Sequence, residues 1–590
     1  MAFRYLAIFT DDPAQQHRLA SQVKAALPLL SVAAEPLLFT SSEPGLCRQW
    51  PKGAVLGHLF TRSDAPRPTS GLSSSEIASI EQTSGDYLLA QFWGGYLGIV
   101  PGKRIGHWDI VRDPSGALPC YFTTYAGALI VASDVDALFE AGFIGQALNW
   151  EAIGRDVLSG GPPTQRTALR DVTELLAGWR LTWSGGRTEL RPWWSPWNYV
   201  AESAVPVDDL VTRLRTTIMA CVGAWGLAFR RPLLGVSGGL DSSIVAASLK
   251  AAGTDVCAFT MATNEPFGDE RSFAQSLCDH LGIPLFAQVY DLAHIDIERS
   301  TSLHLARPGI SAFGQSNLAT RRALAQSQST DAFFSGIGGD NVFYLTMSAT
   351  PLLDCFLKNG LSIGTWRALR DICHLTRCSI WDAIAAATAR AREGGPAYPW
   401  RLDTRFLNPD LCPGGLSPVE PGSWLSTPKL ALPGKAVHIA RIIGLQYPND
   451  LFPRSEAGPQ IQPLFSQPIV ELCLSIPSWL WCTDGQNRSL ARRAFAPSLP
   501  RELIARKSKG GPDSFAYDVT LANCDQIREL LLDGVLARQG LLDRGAVDSA
   551  LRDTSRFAKG DHLLFLSLTE AETWARGWLA RTRLASPRTA

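Results

Sequence analysis

The twelve cysteines of this chain form no Cys-x-x-Cys pair, and its nine histidines fall into no His-Glu-x-x-His pattern or comparable cluster. Neither a zinc site nor a disulfide scaffold is indicated, and reduced thiols in a cytoplasmic setting are expected. An excess of one charge is also lacking, since Lys+Arg and Asp+Glu are both 55. No global field draws the chain to nucleic acid or to anionic membrane. Apolar runs of membrane-spanning length are missing; Ile218 to Phe229 comes closest and has the length of a core helix. The apolar start, Met1 to Thr10, is too short before Asp11-Asp12 for a signal peptide. The expectation is a cytoplasmic protein with no nucleic-acid partner and no membrane insertion.

What is present is enough apolar material for large cores. Hydrophobic residues make up 46% and charged residues 19% of the 590, which points to a globular chain of two or more domains. One stretch organises it: Leu233-Leu234-Gly235-Val236-Ser237-Gly238-Gly239-Leu240-Asp241-Ser242-Ser243. A short apolar run suited to a buried strand ends in Ser-Gly-Gly and passes into Ile244 to Lys250, which reads as a helix. Glycines let backbone N–H groups approach an anion, the hydroxyls of Ser237, Ser242 and Ser243 add donors, and the helix presents its positive end. No Lys sits inside the turn, so it is not the Gly-x4-Gly-Lys-Ser loop. A plain strand–turn–helix corner explains the small residues but not the whole pattern.

Residues 1 to about 200 read as β-rich. Strands are expected at Tyr87–Phe92, Gly95–Val100, Trp108–Val111 and Ala128–Ala132, with a surface loop from Arg62 to Ser75. From about 201 the pattern shifts to helices alternating with apolar strands, as in a parallel sheet. Asp208–Ala228 is helical, Val256–Thr260 is the next strand, and Asp269-Glu270 opens a helix running to Leu281-Gly282. A second glycine turn closes another strand: Phe333-Phe334-Ser335-Gly336-Ile337-Gly338-Gly339-Asp340-Asn341. Two such turns at strand ends, each delivering one Asp, suit a crevice at the carboxyl edge of an open sheet. Ile363–Ala391 reads as helical and Gly394–Gly434 as a Pro/Gly-rich connection. Trp366, Trp381, Trp400 and Trp424 read as core or groove packing.

The first turn resembles the pyrophosphate loop of ATP pyrophosphatases. Arg112-Asp113-Pro114-Ser115-Gly116 through Phe122, followed by Ala132-Ser133-Asp134, resembles the glutaminase domain of asparagine synthetases, with Gly178 and Trp193-Trp194 where that domain finishes. Ser335 to Asn341 resembles that family's second turn. Gln462 to Glu471, Asn487 to Phe495 and Ile504 to Gly511 match its C-terminal segments, with Ser466 in place of an Asp. The resemblance therefore implies an α/β protein. Residues 1–200 would form a degenerate glutaminase-like β-sandwich of the Ntn type. Residues 201–590 would form an ATP-pyrophosphatase domain, a parallel sheet flanked by helices.

It further implies ATP and Mg²⁺ as cofactors, with Asp241 and Asp340 as metal ligands. Ser237, Gly238, Gly239, Asp241, Ser242, Ser243, Gly336 and Lys509 would hold the nucleotide, and Lys509, Asp241 and Asp340 would carry the catalysis. Asp269 and Glu270 are as suited to simple helix-start charges as to nucleotide contact. Two departures matter. Residue 2 is Ala where a working glutaminase of this type has its nucleophilic Cys, and Cys47 is the first cysteine. Position 337 is Ile, where asparagine synthetases have Glu and β-lactam synthetases Tyr. The architecture without the nucleophile, with Phe3 to Ala7 and Phe92 to Tyr96, looks most like lasso-peptide cyclases. Those adenylate an Asp or Glu side chain of a precursor peptide and close a macrolactam with its α-amine, beside a leader-binding protein and a leader peptidase. A β-lactam or carbapenam synthetase, a glutamine-independent asparagine synthetase-like enzyme and a catalytically silent scaffold are the alternatives.

Overall fold

A computed structural model describes residues 3–582 apart from 35, 42, 44, 105, 202–204, 266–267, 310–311, 393–401, 412–422, 447–451, 453–457, 508–509, 554, 556 and 558–559. The first part is two antiparallel sheets. Strands β1 (Tyr5–Phe9), β2 (Leu30–Ala34), β3 (Leu37–Thr40), β4 (Cys47–Trp50), β5 (Gly53–Thr61) and β6 (Phe92–Pro101) are followed by β7 (His107–Arg112), β8 (Tyr121–Tyr125) and β9 (Ala128–Ala132). The short β10 (Thr173–Glu174) precedes the hairpin β11 (Trp179–Ser184) and β12 (Arg187–Pro192). One sheet runs β10-β8-β9-β1-β3-β2 and the other β12-β11-β7-β6-β5-β4. The period of two in a strand sorts the side chains: Tyr5, Ala7 and Phe9 face Leu97, Ile110, Leu181 and Trp183 inside the sandwich. Leu6 and Ile8 point the other way and are equally buried, because the helices Pro13–Ala26 and Val135–Glu140 pack on that outer face, in a core that runs on to Trp574 and Trp578 of the helix Asp561–Ala580.

The second part is a parallel sheet in the order β15-β14-β13-β16-β17, from β13 (Pro232–Gly235), β14 (Cys257–Ala262), β15 (Leu285–Val289), β16 (Ala332–Phe334) and β17 (Gln460–Ile461). Its central strand β13 comes first in the chain. Later strands add to one side and then to the other, so the order reverses between β13 and β16. Helices α1 (Val207–Leu227), α2 (Leu240–Ala251) and α3 (Arg271–Leu281) cover the sheet, the last ending on Gly282 in the left-handed region. The fold is α/β throughout this part, as expected. No helix among the described residues is long and apolar enough to cross a membrane.

The sequence reading needs four corrections. Tyr87 to Gln91 is helix, Asp86–Gln91, entered from Gly85 at φ 92°; only at Phe92 does the chain extend. The helix after the first turn begins at Leu240, so Asp241 to Ser243 lie inside it and not ahead of it. Ile363–Ala391 is two helices, Ile363–Thr376 and Ile380–Arg392, parted at Arg377, which adopts φ 57°. Trp424 is buried and Trp366, though 64% exposed, lines an apolar groove with Phe356, Leu361 and Ile363, as the reading of core or groove packing had it, but Trp381 is 78% exposed and belongs to neither. Trp400 lies outside the described residues, as do the rest of 394–401 and 412–422; the described remainder of 394–434 holds a short helical turn at Pro409–Leu411 and the start of the helix Pro433–Ile443.

The Arg112-Asp113 turn has become a buried strut. Arg112 donates to the carbonyls of Gly116 and Leu118, at 2.8 and 2.9 Å, and pairs with Glu174. Asp113 accepts from the backbone N–H groups of Tyr96 and Ser115, and burial pushes its carboxyl up to about 6. Glu174 also receives Arg307, at 2.8 Å, from the second part of the chain. Two further ties join the parts. Glu471 pairs with Arg62 at 2.8 Å and accepts from Trp194 Nε1, and the α1 residue Trp225 meets Phe60 edge-on at 4.8 Å.

Candidate functional site

The turns after β13 and β16 meet across the point where the strand order reverses, which is where open α/β sheets bind ligands. Their approach is close enough to require glycine. A Cβ on Gly336 would stand 2.4 Å from the backbone N of Ser242, and one on Gly339 would stand 2.4 Å from Cγ of Asp241. The resulting crevice encloses about 480 Å³ and is walled by Ser237, Gly239, Asp241, Ser242, Gly336, Ile337 and Asp340, with Phe259 to Met261 on one side.

Not every predicted ligand-binding residue faces it. Gly238 takes φ 61° with its Cα against Phe273, and Ser243 is fully buried with its hydroxyl donating to the carbonyl of Gly239 at 2.8 Å. Neither lines the crevice. Ser237 Oγ accepts from Gly239 N at 3.3 Å, while the Ser242 hydroxyl donates to Gly239 O at 3.2 Å. Both shape the loop that would cradle an anion. Ile337 is 46% exposed in the crevice wall and carries no proton-accepting group. Lys509 lies outside the described residues; its neighbours Lys507, Gly510 and Gly511 line the crevice.

Arg488 and Arg506, which motif reading left without a role, dominate the electrostatics together with Glu270. Arg488 Nη1 donates to both carboxylate oxygens of Asp241, at 3.0 and 2.9 Å, and to Oδ1 of Asp340 at 2.5 Å. Arg506 donates to Ser237 O at 3.0 Å and to Glu270 Oε1 at 2.6 Å, with its guanidinium 4.0 Å above the ring of Phe273. Glu270 Oε1 also accepts from Gly510 N at 3.0 Å, so it fastens the C-terminal loop to the rim. Asp269 is turned to Arg271 instead, at 2.7 Å, as the simple helix-start reading had it. The signals for Arg488 and Arg506 were their places in the matched C-terminal segments, but their partners were invisible there.

Asp241 and Asp340 suit a hard divalent cation. Their oxygens converge on one cationic nitrogen, which stands in for such an ion. Among the described residues no group of three or more protein ligands assembles, so phosphate oxygens and water would complete the shell, as Mg²⁺ prefers.

A strand-edge crevice with a glycine turn at a helix start and paired carboxylates has the form of a phosphate-binding site in an open α/β sheet. Residues 227–393 and 461–576 match the asparagine synthase family, and residues 71–194 match the glutamine amidotransferase domain. The two matches support the asparagine synthetase family, whose members use ATP, typically with Mg²⁺. The enzyme is an ATP-dependent amide-forming ligase that yields AMP and pyrophosphate. Among solved structures it is similar to the allosteric regulatory enzyme of purine biosynthesis, at 10% identity over 52% of this chain and 81% of that one, with a TM-score of 0.21. It is also similar to glutamine phosphoribosylpyrophosphate amidotransferase from B. subtilis complexed with ADP and GMP, at 10% identity over 50% and 83%, with a TM-score of 0.20. No curated protein sequence matches.

Proposed function

We propose that this ligase closes a macrolactam in a precursor peptide, as lasso-peptide cyclases do. A side-chain carboxylate of Asp or Glu attacks the α-phosphorus of ATP, pyrophosphate departs, and the peptide's own N-terminal amine displaces AMP from the acyl-adenylate. Ser237, Gly239 and Ser242 would hold the phosphates. Asp241 and Asp340 would hold Mg²⁺, which when bound neutralises charge on the departing pyrophosphate. Lys509 would meet charge developing on the transferring phosphoryl and acyl oxygens.

The observation that carries the reading is that, among the described residues, no cysteine of the antiparallel part is placed as a glutaminase nucleophile, while Asp241 and Asp340 face the crevice together. The described cysteines of the antiparallel part are Cys47 and Cys120, and burial pushes both thiols up, to about 12 for Cys120. A thiol so placed is inert, whereas a glutaminase nucleophile is activated. The nitrogen then comes from the substrate. Ile337 favours a peptide over a β-lactam precursor, because it supplies no base for a weakly acidic amine.

The test is incubation with ATP, Mg²⁺ and the precursor peptide, with its leader-binding protein and leader peptidase present. Pyrophosphate release with loss of one water from the peptide is expected. Release with aspartate and ammonia but none with peptide would overturn the reading in favour of an asparagine synthetase-like enzyme.

A further inference from the structure

The cation position between Asp241 and Asp340 is already filled by the protein itself. Arg488 reaches both carboxylates through the single nitrogen Nη1, and its side chain is only 12% exposed. Its backbone is set for this. Arg488 stands at φ 56° and ψ 34° immediately before the helix α4 (Ser489–Phe495), a left-handed conformation uncommon for a side chain of this size. The preceding Asn487 is pinned from two sides: its Oδ1 accepts from Thr346 N at 2.9 Å, and its carbonyl accepts from Arg492 Nε at 3.0 Å.

Yet the guanidinium is incompletely satisfied. Its buried Nε has no hydrogen-bond partner among the described residues. An arginine held by one nitrogen lacks the two parallel bonds that make carboxylate pairs firm, so it can be displaced. The charges tell when. A divalent ion added alone would set two more positive charges against Arg488 in a half-closed site, whereas one added together with a polyphosphate brings its own counter-charge.

We propose that Arg488 is the resident counter-ion of the metal carboxylates. In the nucleotide-free enzyme it holds Asp241 and Asp340 together and keeps free Mg²⁺ out, and it yields only to metal that arrives with the nucleotide. Arg488 is a positioning residue in this role, acting through the two aspartates. The inference rests on the reading of those aspartates as metal ligands.

Mn²⁺ binding to the full-length protein, followed by electron paramagnetic resonance, tests it without relying on turnover. Wild type is expected to bind Mn²⁺ well with a non-hydrolysable ATP analogue and poorly without it. Arg488→Gln should bind nucleotide-free Mn²⁺ on the order of 10-fold more tightly, as removal of a neighbouring like charge requires. Arg488→Lys, which keeps the charge, should return toward wild type. A merely structural arginine would not move these affinities in that order. Equal Mn²⁺ affinity of wild type with and without nucleotide would overturn the proposal even if no variant folds. Unchanged free-Mn²⁺ affinity in a folded Arg488→Gln, with nucleotide-dependent binding that Asp340→Asn abolishes, overturns the counter-ion alone. Absence of Mn²⁺ binding in every state would instead remove the metal reading beneath it.

Discussion

Asp241 sits in the first turn of α2, is only 8% exposed, and accepts from Arg488 with both carboxylate oxygens. Asp241→Asn and Asp340→Asn should each leave a folded protein whose ATP-dependent pyrophosphate release falls by ~10² or more, the scale of losing one preorganised electrostatic group. A coupled pyrophosphate assay beside a thermal melt checks this, and loss from only one of the two would break the paired-ligand reading. Gly339→Ala should do nearly as much damage without touching any ligand, because the added methyl displaces the Asp241 carboxylate it would meet at 2.4 Å. Both aspartates were legible in the sequence because each lies in a local glycine turn, where a handful of neighbours fix the chemistry. Arg488 was not. Its aim depends on one left-handed φ and on partners 247 and 148 residues away.

Among elements, the loop after Ala505 is tied to the sheet's rim by one side chain at two of its described residues. Glu270 receives Arg506 at 2.6 Å and the N–H of Gly510 at 3.0 Å, and both partners of the ion pair are nearly buried. Glu270→Gln should keep the fold and loosen the loop. Trypsin should then cut faster after Arg506 and Lys507, and pyrophosphate release should drop by about 10-fold through lost positioning. Unchanged cleavage would show that the loop is held elsewhere. Element types were readable where periodicity was long, as in α1. Short stretches misled: Tyr87–Phe92 has strand-like composition, but Gly85 at φ 92° turns the chain into a helix there. Trp381 failed for a related reason, since an aromatic on a helix says nothing about which face another element will cover.

At the scale of the molecule, the two parts share polar ties as well as core. Glu471 holds Arg62 and the indole of Trp194, so Glu471→Ala strands a half-buried guanidinium between them. A loss of about 3 kcal/mol is expected, within the range for breaking one side of a buried pair. Calorimetry should show a lower Tm for the whole protein.

Stability should also depend on pH through Glu570, on the C-terminal helix. Burial pushes its carboxyl up to about 8, although Ser300 Oγ donates to it at 2.6 Å. The folded state therefore keeps a proton that the unfolded chain releases near the ordinary value of 4.5. Stability from this group falls as pH rises from about 4.5 toward 8 and levels off beyond. Glu570→Gln, which stays neutral and still accepts from Ser300, should flatten that slope, so its Tm advantage should be larger at pH 8 than at pH 5.

The same C-terminal helix packs against the helix Val135–Glu140 behind the first antiparallel sheet, with Trp578 edge-on to Phe139 at 5.7 Å, in one continuous core with Leu6, Ile8 and Ile130. Such a seam has a bearing on ancestry. A lineage that stops hydrolysing glutamine can discard the residues of that chemistry one by one, but not the sheets beneath them, because every deletion would strip the ligase half of part of its own interior. The old domain then persists as masonry. Its strands stay under selection for as long as the amide bond is still being made.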